Sequence, residues 1–187
     1  RDRQTLLFSA TMPKLMEELA DSYLTDPVRV EANPPGRPAD KITQGVHFVN
    51  QGDKAALLAE YLAKHPGELA IVFGRTKHGS EKLSKLLEKW GFKVNAIHGN
   101  KSQGQRERAL ASFRAEQTQV LVATDVAARG IDIPQVAHIY NYDLPNVPEN
   151  YVHRIGRTAR AGRDGRAVAF CAPAELGELR AIEKTIK

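Results

Sequence analysis

The chain has 187 residues, of which 42% are hydrophobic and 26% charged, as is typical of a soluble globular protein. Lysine and arginine outnumber the acidic residues by 27 to 22, and this net charge of +5 favours a polyanionic partner such as nucleic acid. No apolar run approaches the roughly 18 residues of a membrane span and no signal-peptide pattern opens the sequence, so we expect a cytoplasmic protein without a membrane partner.

The first part of the sequence predicts too little structure to bury a core of its own. Residues 5–8 favour a strand, Pro13 suits the first turn of a helix, and residues 28–30 favour another short strand. Three prolines and a glycine within residues 33–38 favour a linker. We therefore predict three parts: the end of another domain (1–32), a linker (33–41) and a main domain (42–187).

After the linker, short apolar runs alternate with amphipathic segments. Strands are predicted at residues 46–49, 69–73, 94–97, 120–123, 136–140 and 167–171. Helices between them are predicted to start at the N-caps Asp53, Ser80 and Ser102, and a further helix near Pro148. Ser102 also has capping-box spacing to Gln105. A final helix is predicted to carry the apolar residues Leu176, Leu179, Ile182 and Ile186. This alternation predicts an α/β fold, with a mostly parallel central sheet and helices on both faces. The single cysteine, Cys171, excludes a disulfide framework and is predicted to be a buried thiol.

Polar clusters follow three of the predicted strands, and the carboxyl ends of parallel strands meet at one edge of a sheet. The clusters lie at residues 74–79, 98–106 and 124–132. Each combines glycine, hydroxyl or amide groups with a basic residue near a helix start, which suits binding of a phosphate backbone without base readout. Any one of them is explained as well by a solvated turn, but three on one edge favour a phosphate-backbone site.

A second dense feature is the basic run at residues 151–163, with four arginines and a histidine. Arg157 and Arg160 lie three residues apart, so on a helix or tight turn they project in nearly the same direction. Converging guanidinium groups repel unless an anion joins them, and a polyphosphate is such an anion; a solvated basic face is the alternative. Because the sequence contains no P-loop and no acidic Mg²⁺ cluster, we expect it to offer arginines to a nucleotide held mainly elsewhere.

Together these motifs resemble the DEAD-box RNA helicases, in that family's order and over almost the whole chain. The matching motifs are Ser9-Ala10-Thr11, residues 71–76, the pair Gln103 and Arg106, residues 123–134 and residues 153–160. The motif His153-Arg154-Ile155-Gly156-Arg157 is similar to that of the DEAD-box group rather than to those of DEAH or RecQ helicases. The sequence as a whole resembles bacterial members of the RhlE type. The resemblance implies a RecA-like, three-layer second domain at 42–187 and the end of the first, ATP-binding domain at 1–32, whose P-loop and metal motif would lie upstream.

The resemblance also implies roles for individual residues. Arg157 and Arg160 would be arginine fingers in catalysis, and Gly130 and Asp132 would face ATP, which is bound with Mg²⁺ mainly by the first domain. The implied RNA-backbone contacts are Arg75, Thr76, Gly79, Gly99, Gln103, Arg106, Thr124, Asp125 and Arg129. Ser9, Thr11 and His153 would couple the two domains, and no residue is implied as a metal ligand. Ala159 departs from the family, which commonly has glycine there.

The implied function is that of the C-terminal motor domain of an ATP-dependent RNA helicase, which locally unwinds or remodels RNA duplexes. Its partners would be RNA, bound without sequence preference, and the first RecA-like domain of the same protein; this sequence alone would be inactive as an ATPase. An ATP-independent RNA-binding or partner-docking module is an alternative, against which the converging Arg157 and Arg160 argue. A DNA translocase is another, and competition between RNA and DNA of equal sequence would separate it, because a 2′-hydroxyl contact distinguishes RNA.

Overall fold

A computed structural model describes residues 3–9, 12–30 and 41–186 of the chain. Within them, six strands form one sheet in which all neighbouring strands are parallel, in the spatial order β1-β6-β5-β2-β4-β3. The strands are β1 (Ile42–Phe48), β2 (Leu69–Phe73), β3 (Val94–Ile97), β4 (Val120–Ala123), β5 (Val136–Asn141) and β6 (Gly165–Cys171). The predicted parallel sheet is confirmed.

Helices connect the strands and cover both faces of the sheet. They are α1 (Lys14–Tyr23), α2 (Lys54–Lys64), α3 (Lys77–Lys89), α4 (Gln103–Arg114), α5 (Asp125–Ala128), α6 (Pro148–Ile155) and α7 (Leu176–Thr185), with short 3₁₀ turns at Gln51–Asp53 and Pro173–Glu175. Apolar residues of α2 and α3 pack on one face, and those of α4, α6 and α7 pack on the other. Among the described residues, no helix is both long and apolar enough to cross a bilayer.

The central strands are buried on both sides, as their unbroken apolar sequences predict. In β2, Ile71 and Phe73 enter the core beneath α4 and α6, whereas Ala70 and Val72 enter the core beneath α2 and α3. Cys171 is buried as predicted, and burial raises the pKa of its thiol, which makes it a poor nucleophile.

Helix caps were predicted with mixed success. The capping box at the start of α4 is confirmed, because Oγ of Ser102 accepts a hydrogen bond from the backbone N–H of Gln105 at 3.3 Å and Oε1 of Gln105 accepts one in return at 2.8 Å. Ser80 was wrongly predicted as a cap, since α3 begins one turn earlier and its cap is Thr76. Asp53 occupies the N-cap position of α2, but its side chain caps no backbone N–H among the described residues.

The segment before the predicted linker differs most from its prediction. Residues 5–8 and 28–30 are irregular rather than strands, whereas the predicted helix forms as α1. None of the ten described residues of α1 is buried, and Phe8 (87%) and Val28 (90%) are almost fully exposed. A strand needs a neighbour to hydrogen-bond, and the part of the chain that the structure describes places no strand beside these residues. The predicted linker, apart from Lys41, lies outside the described residues.

Hydrogen exchange should separate this segment from the sheet. We expect the amides of residues 5–8 to exchange nearly unprotected, because these residues are irregular and mostly exposed, while the amides of β2 and β4 exchange only on global unfolding. Exchange measured by mass spectrometry or NMR checks this expectation. Protection at residues 5–8 equal to that of β2 would show that they pair in a sheet.

Candidate functional site

The loop after β4 is held by one buried arginine on α6. Both carboxylate oxygens of Asp125 accept hydrogen bonds from Arg154, at 2.6 Å from Nε and 2.9 Å from Nη2. Nη1 of Arg154 also donates to the backbone oxygen of Asp143 at 2.6 Å and to Oδ1 of Asn141 at 3.2 Å, and its guanidinium lies 5.0 Å from the ring centroid of Phe73. Arg154 is only 2% exposed, so it fastens the ends of β2, β4 and β5 to α6.

This arrangement defines what the structure assigns to Asp125. The resemblance implies that Asp125 contacts RNA, yet both of its oxygens face Arg154, so its observed role is to position the loop. Arg154 itself was not singled out from the sequence. Its neighbours Arg157 and Arg160 carried the charge argument, and nothing in the pattern distinguishes the buried arginine from the exposed ones.

The two predicted arginine fingers lie side by side after α6. Arg157 donates to the backbone oxygen of Ile131 at 2.8 Å and to that of His153 at 3.3 Å. Arg160 forms an ion pair with Asp132 and donates to the backbone oxygen of Gly156 at 2.9 Å. Both side chains therefore turn back onto the loop that carries Gly130 and Asp132, and sequence spacing correctly predicted that they converge.

Their electrostatics differ. Burial, and then the neighbouring Arg160 charge, lower the pKa of Arg157, which records how close the two guanidinium groups are. Arg160 has the Asp132 carboxylate as counter-ion, whereas Arg157 forms no ion pair within the described residues. Arg157 is half-buried against backbone oxygens, and the Asp132 charge only partly opposes the lowering of its pKa.

A cavity of about 320 Å³ joins this region to the first part of the chain. Its lining includes the predicted coupling residues Ser9 and His153, together with Arg129 and Arg157. Burial, followed by the charges of Arg157 and Arg129, lowers the pKa of His153, so its ring is neutral at pH 7. Nε2 of His153 is buried and has no hydrogen-bond partner among the described residues. Thr11, the other predicted coupling residue, lies outside those residues.

The remaining predicted RNA-binding residues lie along the same edge of the sheet. Oγ1 of Thr76 caps α3 by accepting from the backbone N–H of Gly79 at 3.0 Å. Nη2 of Arg106 reaches across from α4 to the backbone oxygen of Ala127 at 3.1 Å, beside Thr124. The others are Gly99, in the turn after β3, and Gln103, which opens α4 and donates to Oε1 of Glu107 at 2.9 Å.

A second buried charge cluster, unpredicted from sequence, supports the loop after β2. The Lys54 side chain is fully buried and forms an ion pair with Glu175. The other carboxylate oxygen of Glu175 accepts from the backbone N–H of Leu144 at 2.8 Å and lies 3.4 Å from Nη2 of Arg75. The backbone N–H of Arg75 donates to Asp143 at 2.9 Å. Lys54 and Glu175 are 121 positions apart, so only the parallel packing of β1, β6, β5 and β2 brings them together.

The backbone on either side of Arg160 is strained. Ala159 has φ of +56° and Ala161 has φ of +53°, in the left-handed region that costs a non-glycine residue about 1–2 kcal/mol. Gly165 passes so close that a Cβ atom there would lie 2.5 Å from the Thr158 side chain. Thr158 is locked by a buried hydrogen bond from its Oγ1 to the backbone oxygen of Val136, at 2.6 Å.

Comparison with known proteins defines the class. The family model of the helicase conserved C-terminal domain matches residues 53–162, and the chain belongs to that family. The chain is 45% identical over 186 residues to the ATP-dependent RNA helicase CshA of Listeria monocytogenes. The matched region covers 100% of this chain and 36% of that protein. It is 46% identical to the DEAD-box ATP-dependent RNA helicase CshA of Bacillus subtilis, and that match covers 100% of this chain and 38% of the relative. The chain therefore spans little more than a third of the length of these relatives.

Solved structures agree with this assignment. The chain matches Saccharomyces cerevisiae Dbp5, solved bound to RNA and ADP BeF3, with a TM-score of 0.86 and 33% identity over 96% of this chain and 48% of that one. A DEAD box protein of Methanococcus jannaschii matches with a TM-score of 0.72 and 38% identity, and the match covers 96% of this chain and 48% of that one. The resemblance to DEAD-box helicases and the RecA-like fold are thus confirmed, whereas the RhlE subgroup stays a prediction.

Two aspartates in the site allow a matched comparison of ion pairs. We expect Asp125→Ala to lower the free energy of unfolding by about 3 kcal/mol, because it leaves the buried Arg154 charge uncompensated. Asp132→Ala should lower it by less than about 0.5 kcal/mol, because that carboxylate is 75% exposed. Urea unfolding of both variants measures the difference, and equal losses would contradict the assigned role of Arg154.

The strained backbone gives a second prediction. Ala159→Gly should raise the free energy of unfolding by about 0.5–1 kcal/mol, because glycine adopts a positive φ without strain. The matched control is Ala111→Gly at an exposed position within α4, which should cost about 1 kcal/mol. Thermal and urea unfolding provide the measurement. A loss of stability in both variants would show that Ala159 is unstrained.

Proposed function

We propose that this chain is the C-terminal motor domain of an ATP-dependent RNA helicase that locally unwinds or remodels RNA duplexes. The observation that carries the proposal is the pairing of Arg157 and Arg160 on the loop of Gly130 and Asp132, on the same sheet edge as the phosphate-type loops. An RNA-binding module does not require two guanidinium groups at one point, whereas stabilisation of a transferring phosphoryl group does.

On the nucleotide side, the domain supplies charge rather than a complete binding site. ATP with Mg²⁺ is held mainly by the first RecA-like domain, which faces this loop when the two domains close. The triphosphate then competes with Asp132 for Arg160 and provides Arg157 with a direct ion-pair partner, which none of the described residues supplies. The Asp132 carboxylate, which is largely exposed, is released toward the ribose, as the resemblance implies.

On the RNA side, the proposed contacts go to the sugar-phosphate backbone and carry no sequence preference. They are Arg75, Thr76, Gly79, Gly99, Gln103, Arg106, Thr124, Asp125 and Arg129, with Asp125 acting through the loop that it holds. The RNA in the Dbp5 structure, together with the 33% identity of that protein to this chain, supports a nucleic-acid ligand. Binding by phosphate contacts implies a steep dependence on salt.

The coupling between the two ligands is proposed to run through Ser9, Thr11 and His153. Ser9 and His153 line one cavity with Arg157, which supports the proposal. We propose three parts: the end of a first domain (1–32), a linker (33–41) and the second domain (42–187). Exposed apolar side chains between residues 3 and 30 support this division, because exposed apolar surface is expected where a domain lacks its packing partners. The proposed location is the cytoplasm.

The decisive experiment measures RNA-stimulated ATP hydrolysis in a protein that joins this domain to its first RecA-like domain. We expect Arg157→Ala to lower kcat about 10³-fold or more, the range found for arginine fingers, while RNA affinity falls less than about ten-fold. Arg163→Ala is the matched control, because Arg163 is an exposed arginine of the same basic run with no assigned role.

Other outcomes identify the alternatives. Equal losses of RNA affinity and turnover in Arg157→Ala would move this residue to the RNA site. An ATPase rate that Arg157→Ala leaves unchanged would show that Arg157 is not an arginine finger. Absence of RNA-stimulated ATP hydrolysis in the parent protein would favour an ATP-independent RNA-binding module, and a preference for DNA over RNA of equal sequence would favour a translocase. Turnover by residues 1–187 alone would overturn the division of the ATP site between two domains.

A further inference from the structure

The turn between α2 and β2 lies at the edge of the sheet opposite the candidate functional site, and it brings two metal-ligand side chains together. His65-Pro66-Gly67-Glu68 connects α2 to β2, and the backbone N–H of Glu68 donates to the backbone oxygen of His65 at 3.3 Å. Proline in the second position and glycine with φ of +78° in the third are what a type II turn requires. The turn places the side chains of His65 and Glu68 beside each other, with Nδ1 of His65 at 3.6 Å from Oε1 of Glu68.

A third donor reaches this turn from β5. His138 is 4% exposed, and its Nε2 contacts Oε2 of Glu68. The rings of His65 and His138 are 4.4 Å apart between centroids, and the ring of Tyr140 lies nearly parallel to that of His138, at 5.9 Å with an interplanar angle of 9°. The buried imidazole is therefore packed against two other rings, whereas His65 and Glu68 are partly exposed and free to adjust.

We propose that His65, Glu68 and His138 form a binding site for a divalent transition metal, with Zn²⁺ as the best-matched ion. One donor atom from each residue lies within 4.8 Å of the other two, so modest movements of the two partly exposed side chains would bring all three to the spacing of about 3.3 Å around a tetrahedral Zn²⁺. Two imidazoles and one carboxylate are a donor set that proteins use for zinc, and three protein ligands leave one position open. The sequence did not indicate this site, because His138 is 70 positions from Glu68.

Open space lies beside the two partly exposed donors, His65 and Glu68. His65 and Glu68 line a cavity of about 420 Å³, together with Lys41, Asp164 and Arg166. The two basic residues oppose a cation, and the carboxylate of Asp164 offsets part of that charge. Because this cavity is open to solvent, a water molecule could reach the fourth position of a bound ion. The bound ion would tie the end of α2 to β5, on the edge opposite the proposed RNA and nucleotide contacts.

A second buried histidine in the chain shows why the site depends on the third donor. Nε2 of His98 contacts Oε2 of Glu81 at 2.7 Å, an arrangement similar to that of His138 and Glu68. There the third group is the ammonium of Lys101, at 2.9 Å from the same carboxylate oxygen. A cation already occupies the position that a metal would take, so we expect no metal at Glu81.

Calorimetric titration of Zn²⁺ into the purified chain, with affinity tags removed, tests the proposal. We expect one equivalent of Zn²⁺ to bind per chain in the micromolar range or tighter, and Co²⁺ to give the visible absorption of a four-coordinate site. His65→Gln and Glu68→Gln should each weaken binding at least about ten-fold. Both side chains are partly exposed, so these variants retain the fold, which circular dichroism verifies.

His47→Gln is the matched control, because His47 is an exposed histidine on β1 outside the cluster, and its affinity should stay within about two-fold of the parent. Absence of stoichiometric Zn²⁺ binding would overturn the proposal. So would an unchanged affinity in His65→Gln and Glu68→Gln, or an equal loss in His47→Gln, since either result would place the metal elsewhere. The assay involves neither ATP nor RNA, so its result is independent of the proposed helicase function.

Discussion

The site depends on the burial of one guanidinium group. Arg154 extends from α6 into the interior, where it meets Asp125 after β4, Asn141 at the end of β5 and the ring of Phe73 at the end of β2. Removing such a charge from water is costly, and only a bidentate carboxylate with further acceptors offsets the cost. Because these partners come from three strands, the strand ends and α6 have one relative position in which Arg154 is satisfied. That position also determines where the following turn presents Arg157 and Arg160.

The same short basic run therefore uses arginine in two physically different ways. Arg154 has no access to water, and its ion pair with Asp125 is part of the folded structure. Arg160 pairs with a carboxylate that is 75% exposed, and such pairs contribute little to stability. Because this pair is weak, a more highly charged anion would readily replace Asp132 as the partner of Arg160. The contrast follows from burial, since the two pairs have the same chemical groups.

Features encoded locally were predictable, and features encoded by packing were not. The strands β2, β3 and β4, the capping box of Ser102 and the convergence of Arg157 with Arg160 all follow from short-range patterns. The buried pair of Lys54 and Glu175 does not, because its members meet only after β1 and β6 align. The strand predicted at residues 5–8 is wrong for a related reason. Their apolar sequence favours a strand, but a strand forms only where a sheet edge is available to pair with it.

The turn around Arg160 shows how the sequence sustains an unfavourable backbone. Ala159, Ala161 and Gly162 all have positive φ, and Arg160, which lies among them, pairs with Asp132. Two of these residues carry a methyl group where glycine would be relaxed, so the surroundings must impose the conformation. They do so directly before and after the turn: Thr158 is fixed by its buried bond to the backbone oxygen of Val136, and Gly165 lacks the Cβ atom that would displace Thr158. Since Thr158 adjoins Arg157, the constraint that sustains the strain also holds Arg157 in place. The orientation of both arginines therefore depends on the starts of β5 and β6 as well as on the turn sequence.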